Sequence, residues 1–134
     1  MPKTSASPLQ RHRVINLYST NGPSRLSVIR TVHGGVTVLS PQGEIDLHTA
    51  HRLRQVLTAD RDHCPTRVVV DLRWVIFMDF SGINALIDLY RATRDRPGWL
   101  RLSGIQAPVW RIVQLSGLDV VLDCYPTVHR ALTR

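Results

Sequence analysis

A serine at a strand-to-helix junction is the residue of this sequence best placed to do chemistry. The β-branched residues 68–70 lead into a loop that ends in Asp79-Phe80-Ser81-Gly82, and apolar residues then recur at positions 83, 86, 87 and 90. That spacing predicts an amphipathic helix and places Ser81 near its N-terminus. Unpaired N–H groups and a partial positive charge favour anions there, so the Ser81 hydroxyl can cap the helix or carry a phosphate.

Other reactive constellations in the sequence are incomplete. Ser81 lacks the G-x-S-x-G turn of hydrolases, and the chain has neither G-x-x-x-x-G-K-[ST] nor G-x-G-x-x-G, the loops that hold nucleotide phosphates. His48 and His51 are three residues apart, but no cysteine or carboxylate completes a metal site, and we expect both on the surface. The sequence therefore predicts no catalytic residue, metal or cofactor.

The first half of the chain predicts a hairpin followed by a helix and a buried strand. Two β-branched runs flank a turn at Gly34-Gly35. From Leu47 the apolar period changes to that of a helix, with Asp46 in the N-cap position and Thr49 one turn later. The strand predicted over residues 67–72 has an apolar centre, Val68–Val70, which favours a place in the middle of the sheet, and a loop connects it to the helix at Ser81.

The second half predicts alternating strands and helices. A strand over residues 99–104 precedes a helix that Pro108 opens and Gly117 ends. Residues 120–122 predict a short last strand, and Pro126 begins a terminal helix. The order β-β-α-β-α-β-α-β-α predicts an α/β domain with a mixed, mostly parallel sheet of four or five strands and about four helices packed on it.

Composition and charge limit the location and the partners. We expect residues 1–24 to form a flexible N-terminal tail, with 14–18 as an alternative edge strand, and residues 25–134 to form one folded domain. The net charge of +7 comes from scattered arginines, so no nucleic-acid partner is expected. The chain lacks an apolar run long enough to span a membrane and lacks a secretory signal, which favours a cytoplasmic protein without a membrane partner. Cys64 and Cys124 are expected to be free thiols.

Three segments in order resemble the anti-sigma factor antagonist family, whose members are STAS domains. Residues 43–50, Gly-Glu-Ile-Asp-Leu-His-Thr-Ala, resemble the family's G-E-(I/L)-D-x-x-T-A signature. Asp71-Leu72 followed by residues 77–82, Phe-Met-Asp-Phe-Ser-Gly, resembles its D-L…F-(I/M)-D-S-S-G phosphorylation motif, and residues 113–118 resemble its closing L-x-x-x-G-L helix end. The resemblance extends from about Leu26 to Leu132 and implies a STAS-type fold.

The resemblance also implies a function. In the family, the second serine of the motif is phosphorylated by a partner that is both an anti-sigma factor and a serine kinase, and Ser81 occupies that position. The unmodified protein binds the kinase and releases a sigma factor, which regulates transcription, whereas the phosphorylated form does not bind until a phosphatase acts on it. The implied partner-binding residues are Asp46, Asp79, Phe80, Ser81, Gly82, Ile83 and Asn84.

Two positions depart from the family pattern. The first serine of the motif is Phe80, which leaves Ser81 as the single acceptor beside an apolar side chain, and Asn84 replaces a frequent glycine. A second hypothesis therefore stays open, in which the chain is a STAS subunit of a lipid-transport or scaffold assembly and Ser81 is never modified.

Overall fold

A computed structural model describes residues 13–18, 25–58, 66–94 and 97–133. Strands and helices alternate through most of these residues. In chain order they are β1 (Arg13–Tyr18), β2 (Arg25–His33), β3 (Val36–Ile45), α1 (Leu47–Thr58), β4 (Arg67–Asp71), β5 (Trp74–Met78), α2 (Phe80–Arg94), β6 (Trp99–Ser103), α3 (Ala107–Ser116), α4 (Leu118–Val121), β7 (Asp123–Tyr125) and α5 (Val128–Thr133).

One sheet joins the seven strands of the described residues. Its order is β1-β2-β3-β4-β6-β7, and β5 pairs with β3 beyond the stretch that pairs with β4. The pairs β1–β2 and β2–β3 are antiparallel, and the remaining pairs are parallel. The predicted mixed, mostly parallel α/β fold is confirmed. Within the described residues it contains seven strands rather than four or five, and five helices rather than about four.

Two apolar clusters cover the opposite faces of this sheet. Side chains alternate along β4, so that Val68 and Val70 face the larger cluster, which includes residues of α1, α2 and α3. Val69 faces the smaller cluster, in which it packs with Ala131 of α5. The middle of β4 is buried on both faces, and residues 68–70 are all valine, as predicted for a central strand.

The N-terminal part of the sheet is a meander of three antiparallel strands. The predicted hairpin is confirmed, since β2 and β3 meet at Gly34 and Gly35, whose φ angles of 56° and 82° suit glycine. Residues 13–18 form β1, which pairs with β2. The predicted alternative of an edge strand over residues 14–18, rather than a flexible tail, therefore describes this segment. The rest of the predicted tail, residues 1–12 and 19–24, lies outside the described residues.

Two predicted elements differ from the structure. The loop expected after Leu72 contains β5. The sequence did not predict this strand because a bulge breaks the alternation of buried and exposed residues by which strands are recognised. The strand expected over residues 120–122 is wrong: Val120 and Val121 belong to α4, Leu122 is its C-cap residue, and β7 begins at Asp123. Val120 is 86% exposed and has no sheet to pack against, so its β-propensity does not decide the local structure.

Candidate functional site

The carboxyl ends of β3 and β5 lie side by side and lead into two neighbouring helices. The two strands are parallel, and the Asp79 N–H donates to the Ile45 carbonyl over 3.2 Å. Asp46 follows β3 and precedes α1, whereas Asp79 follows β5 and precedes α2. Both helix N-termini, and with them Ser81, therefore lie at one edge of the sheet.

Asp46 and Thr49 cap the start of α1 together. The Asp46 carboxylate accepts from the N–H groups of His48 at 2.9 Å and Thr49 at 3.1 Å. In return, the Thr49 hydroxyl accepts from the Asp46 N–H at 3.0 Å and donates to the Glu44 carbonyl at 2.8 Å. This is the reciprocal pattern of a capping box, and it confirms Asp46 as the N-cap residue.

Asp79, rather than Ser81, caps α2. The Ser81 N–H donates to the Asp79 carboxylate at 2.8 Å, and the Gly82 and Ile83 N–H groups approach the Asp79 carbonyl at 3.0 and 3.3 Å. Ser81 is the second residue of the helix, so the interpretation of its hydroxyl as the N-cap is wrong. The N–H groups expected to be free for an anion already donate to Asp79.

The Ser81 hydroxyl is left available for chemistry. The side chain is half-buried, and its Oγ has no hydrogen-bond partner among the described residues. Its backbone is held by the Asp79 carboxylate through the Ser81 N–H. A hydroxyl without a competing bond on a fixed backbone suits an acceptor for an external phosphoryl donor.

Gly82 brings the start of α2 close to the sheet. A Cβ at this position would lie 2.5 Å from Met78 Cγ and 3.0 Å from Ile45 Cγ2, which leaves no room for a larger residue without movement. Gly82 and Ile83 are buried, so they support the site from the core side. Of the predicted partner-binding set, Phe80 and Asn84 are exposed, and Asp46, Asp79 and Ser81 are half-buried.

Exposed apolar side chains lie next to the serine and along β5, and the sequence did not predict most of them. Phe80 is 58% exposed directly before Ser81, and Leu47 is exposed at the start of α1. On β5, Trp74, Ile76 and Phe77 are 51%, 64% and 46% exposed. The available signal was the unbroken run of large apolar residues at 74–78, which is too hydrophobic for a solvated loop.

The remaining polar candidates form no further site among the described residues. His48 and His51 are exposed on α1, and the described residues contain no group of three or more His, Cys, Asp or Glu placed to hold a metal ion. Cys124 is a half-buried free thiol whose pKa burial and the Asp119 and Asp123 carboxylates raise to about 11. Cys64 lies outside the described residues. None of the described helices is long and apolar enough to cross a membrane.

Comparison with known proteins assigns the chain to a family. The STAS domain family model matches residues 27–131. The anti-sigma-F factor antagonist RsfB of Mycobacterium tuberculosis is 34% identical over 116 residues, which cover 84% of this chain and 92% of RsfB.

One solved structure gives the same assignment, and a second shares the fold. An anti-sigma factor antagonist from Mycobacterium paratuberculosis superposes with a TM-score of 0.75 at 32% identity, covering 84% of this chain and 95% of that one. The Bacillus cell fate determinant SpoIIAA in its phosphorylated form shares the fold, with a TM-score of 0.58, 21% identity and coverage of 73% of this chain and 88% of that one. RsfB and the Mycobacterium paratuberculosis protein, both about a third identical to this chain, are anti-sigma factor antagonists. This protein therefore belongs to the STAS domain family.

Proposed function

We propose that this protein is an anti-sigma factor antagonist controlled by phosphorylation of Ser81. Its unphosphorylated form binds an anti-sigma factor serine kinase in the cytoplasm, and that binding releases the sigma factor. The observation that supports this proposal is a half-buried serine hydroxyl without a described partner, held at an edge that also exposes Phe80. A phosphorylatable residue within an apolar contact surface is the arrangement that a switchable interface requires.

In this proposal the protein is a substrate and not an enzyme. The kinase supplies ATP and the base that removes the Ser81 proton, and a separate phosphatase returns the serine to its free form. The contribution of this chain is positioning, because the hydrogen bond from the Ser81 N–H to Asp79 fixes the backbone on which the hydroxyl is presented.

Phosphate at Ser81 would act on the interface. It adds about −1.5 to −2 charges, and the nearby helix N–H groups already donate to Asp79. The phosphate would share this edge with the Asp79 and Asp46 carboxylates, so a docked partner would have to remove water from a strongly anionic surface. A penalty of about 3 kcal/mol weakens binding more than about a hundredfold, which suffices for a switch.

Phosphoryl transfer to Ser81 tests the acceptor directly. The full chain is incubated with labelled ATP and each purified anti-sigma factor serine kinase of the source organism, alongside Ser81→Ala. A matched control is Ser116→Ala, which removes a half-buried hydroxyl at the end of α3, where it donates to the Val113 carbonyl. We expect one phosphate on the wild type and on Ser116→Ala and none on Ser81→Ala.

The opposite outcome favours the other class of function. If no kinase labels the wild type, and mass spectrometry of protein from native cells shows Ser81 unmodified in every growth phase, the switch is excluded. A STAS subunit of a lipid-transport or scaffold assembly would then be the better explanation of the fold.

A further inference from the structure

Strand β5 presents neighbouring apolar side chains to solvent because of a bulge. Val75 pairs with Gly43 and Phe77 pairs with Glu44, which leaves Ile76 without a partner on β3. Strict alternation would bury Phe77 and expose Met78, but the extra residue reverses their orientation. Met78 is therefore in the core, whereas Ile76 and Phe77 both face outwards.

A groove runs between this strand and the first turn of α3. It has a volume of about 470 Å³ and is lined by Phe77, Met78, Ala107, Pro108 and Arg111. The side-chain amide of Gln106 donates to the Arg73 carbonyl and so ties the residue before α3 to the loop before β5.

The groove is apolar with a positive charge at its side. Arg111 is exposed and has no hydrogen bond or ion pair with any described residue. Arg73, at the other end of β5, lies with its guanidinium 4.7 Å from the centroid of the Trp74 ring. No acidic residue is among the lining residues, although Glu44 of β3 pairs with Phe77 in the sheet. The groove is thus complementary to an apolar segment that carries negative charge.

The groove also lies near the Ser81 site. Phe77 precedes Ser81 by four residues, so the two Cα atoms are at most about 14 Å apart. A partner that covers Phe80 and Ser81 therefore has the groove within reach of the same interface. Exposed apolar side chains next to a contact site commonly extend that contact.

We propose that this groove binds an acidic segment of the anti-sigma partner, with an apolar side chain against Phe77 and a carboxylate paired with Arg111. This inference rests on the proposed function, because it assigns a second contact region to the same partner. A basic segment is disfavoured, since Arg111 would repel it on a chain whose net charge is already +7.

Calorimetric titration of the full chain with each purified anti-sigma factor serine kinase of the source organism tests the inference. The variants are Arg111→Glu and Phe77→Ser, with Arg67→Glu as the control. Arg67 is an exposed arginine at the amino end of β4, away from the carboxyl edge. We expect both groove variants to weaken binding about tenfold or more and the control to stay within about twofold. Circular dichroism confirms that each variant is folded.

The outcomes separate this inference from the proposed function. If a kinase binds the wild type and Ser81→Asp weakens that binding, but both groove variants bind as the wild type does, the groove assignment is wrong and the switch stands. If Arg111→Glu alone has no effect, the partner is not acidic at this point and the charge assignment is overturned. If no kinase binds the wild type, the proposed function and the groove fail together.

Discussion

Replacing Thr49 with valine removes one buried hydroxyl that joins the end of β3 to the start of α1. The side chain is fully buried at 0% exposure. Its hydroxyl donates to the Glu44 carbonyl at 2.8 Å and accepts from the Asp46 N–H at 3.0 Å. Valine keeps the shape of the side chain, but the Glu44 carbonyl and the Asp46 N–H both lose the hydroxyl as a hydrogen-bond partner.

The expected loss of stability follows from those two bonds. A buried backbone group left unpaired costs about 1–3 kcal/mol; taken at about 1.5–2 kcal/mol for each, the two groups here cost about 3–4 kcal/mol together. Burying a methyl group in place of the hydroxyl returns about 1 kcal/mol. We expect Thr49→Val to lower the free energy of unfolding by about 2–3 kcal/mol.

Thr93→Val is the matched control for this change. Thr93 is also 0% exposed, but its hydroxyl makes a single bond, to the Tyr90 carbonyl within α2 at 2.8 Å. We expect a loss below about 1 kcal/mol, because that carbonyl is within reach of the helix's own N–H groups. Urea unfolding of both variants provides the free energies. Equal losses would refute the assignment of Thr49 as the joint between β3 and α1.

Three further predictions concern single residues. Gly43→Ala should lower the free energy of unfolding by more than about 2 kcal/mol, because Gly43 has a φ of 121° and a Cβ there would overlap the Arg25 carbonyl. Thermal melting should show a much smaller loss of stability for Gly34→Ala, because a Cβ at Gly34 meets no neighbour within 4 Å. Asp79→Ala should lower unfolding free energy in urea by about 1 kcal/mol and Asp79→Asn by much less, since asparagine also caps helices; equal losses would contradict the capping role. In the folded chain the pKa of the Cys124 thiol is raised from 9.0 to about 11, so less of it is the reactive thiolate at pH 8. Cys124 should therefore react with iodoacetamide at pH 8 at least about tenfold more slowly in the folded than in the unfolded chain, as measured by peptide mass. Similar rates would contradict burial of the thiol.

The motif at residues 43–50 was predictable because Gly43, Asp46 and Thr49 each satisfy a requirement of the local backbone structure. Gly43 has a backbone conformation that favours glycine, Asp46 accepts the first N–H groups of α1, and Thr49 returns the bond. Such requirements act within a few residues, so they leave a pattern in the sequence. The same reasoning located the apolar β4 and the helix that follows Asp79.

Other features depend on distant partners and could not be predicted. Strand β5 exists because β3 continues beyond β4 and offers a second stretch for pairing. Its bulge at Ile76 decides which side chains face outwards, and nothing local to the strand marks that position. The choice of Asp79 over Ser81 as the cap of α2 is a shift of two residues, which falls within the usual uncertainty of helix ends.

The most direct test of the switch compares two forms of one protein. The wild-type chain is phosphorylated on Ser81 by its kinase, purified, and titrated calorimetrically into fresh kinase without ATP, next to the unmodified chain. We predict that the phosphorylated form binds at least about a hundredfold more weakly while retaining the same circular dichroism spectrum. Equal affinities of the two forms would contradict the central claim that charge at Ser81 controls the interface.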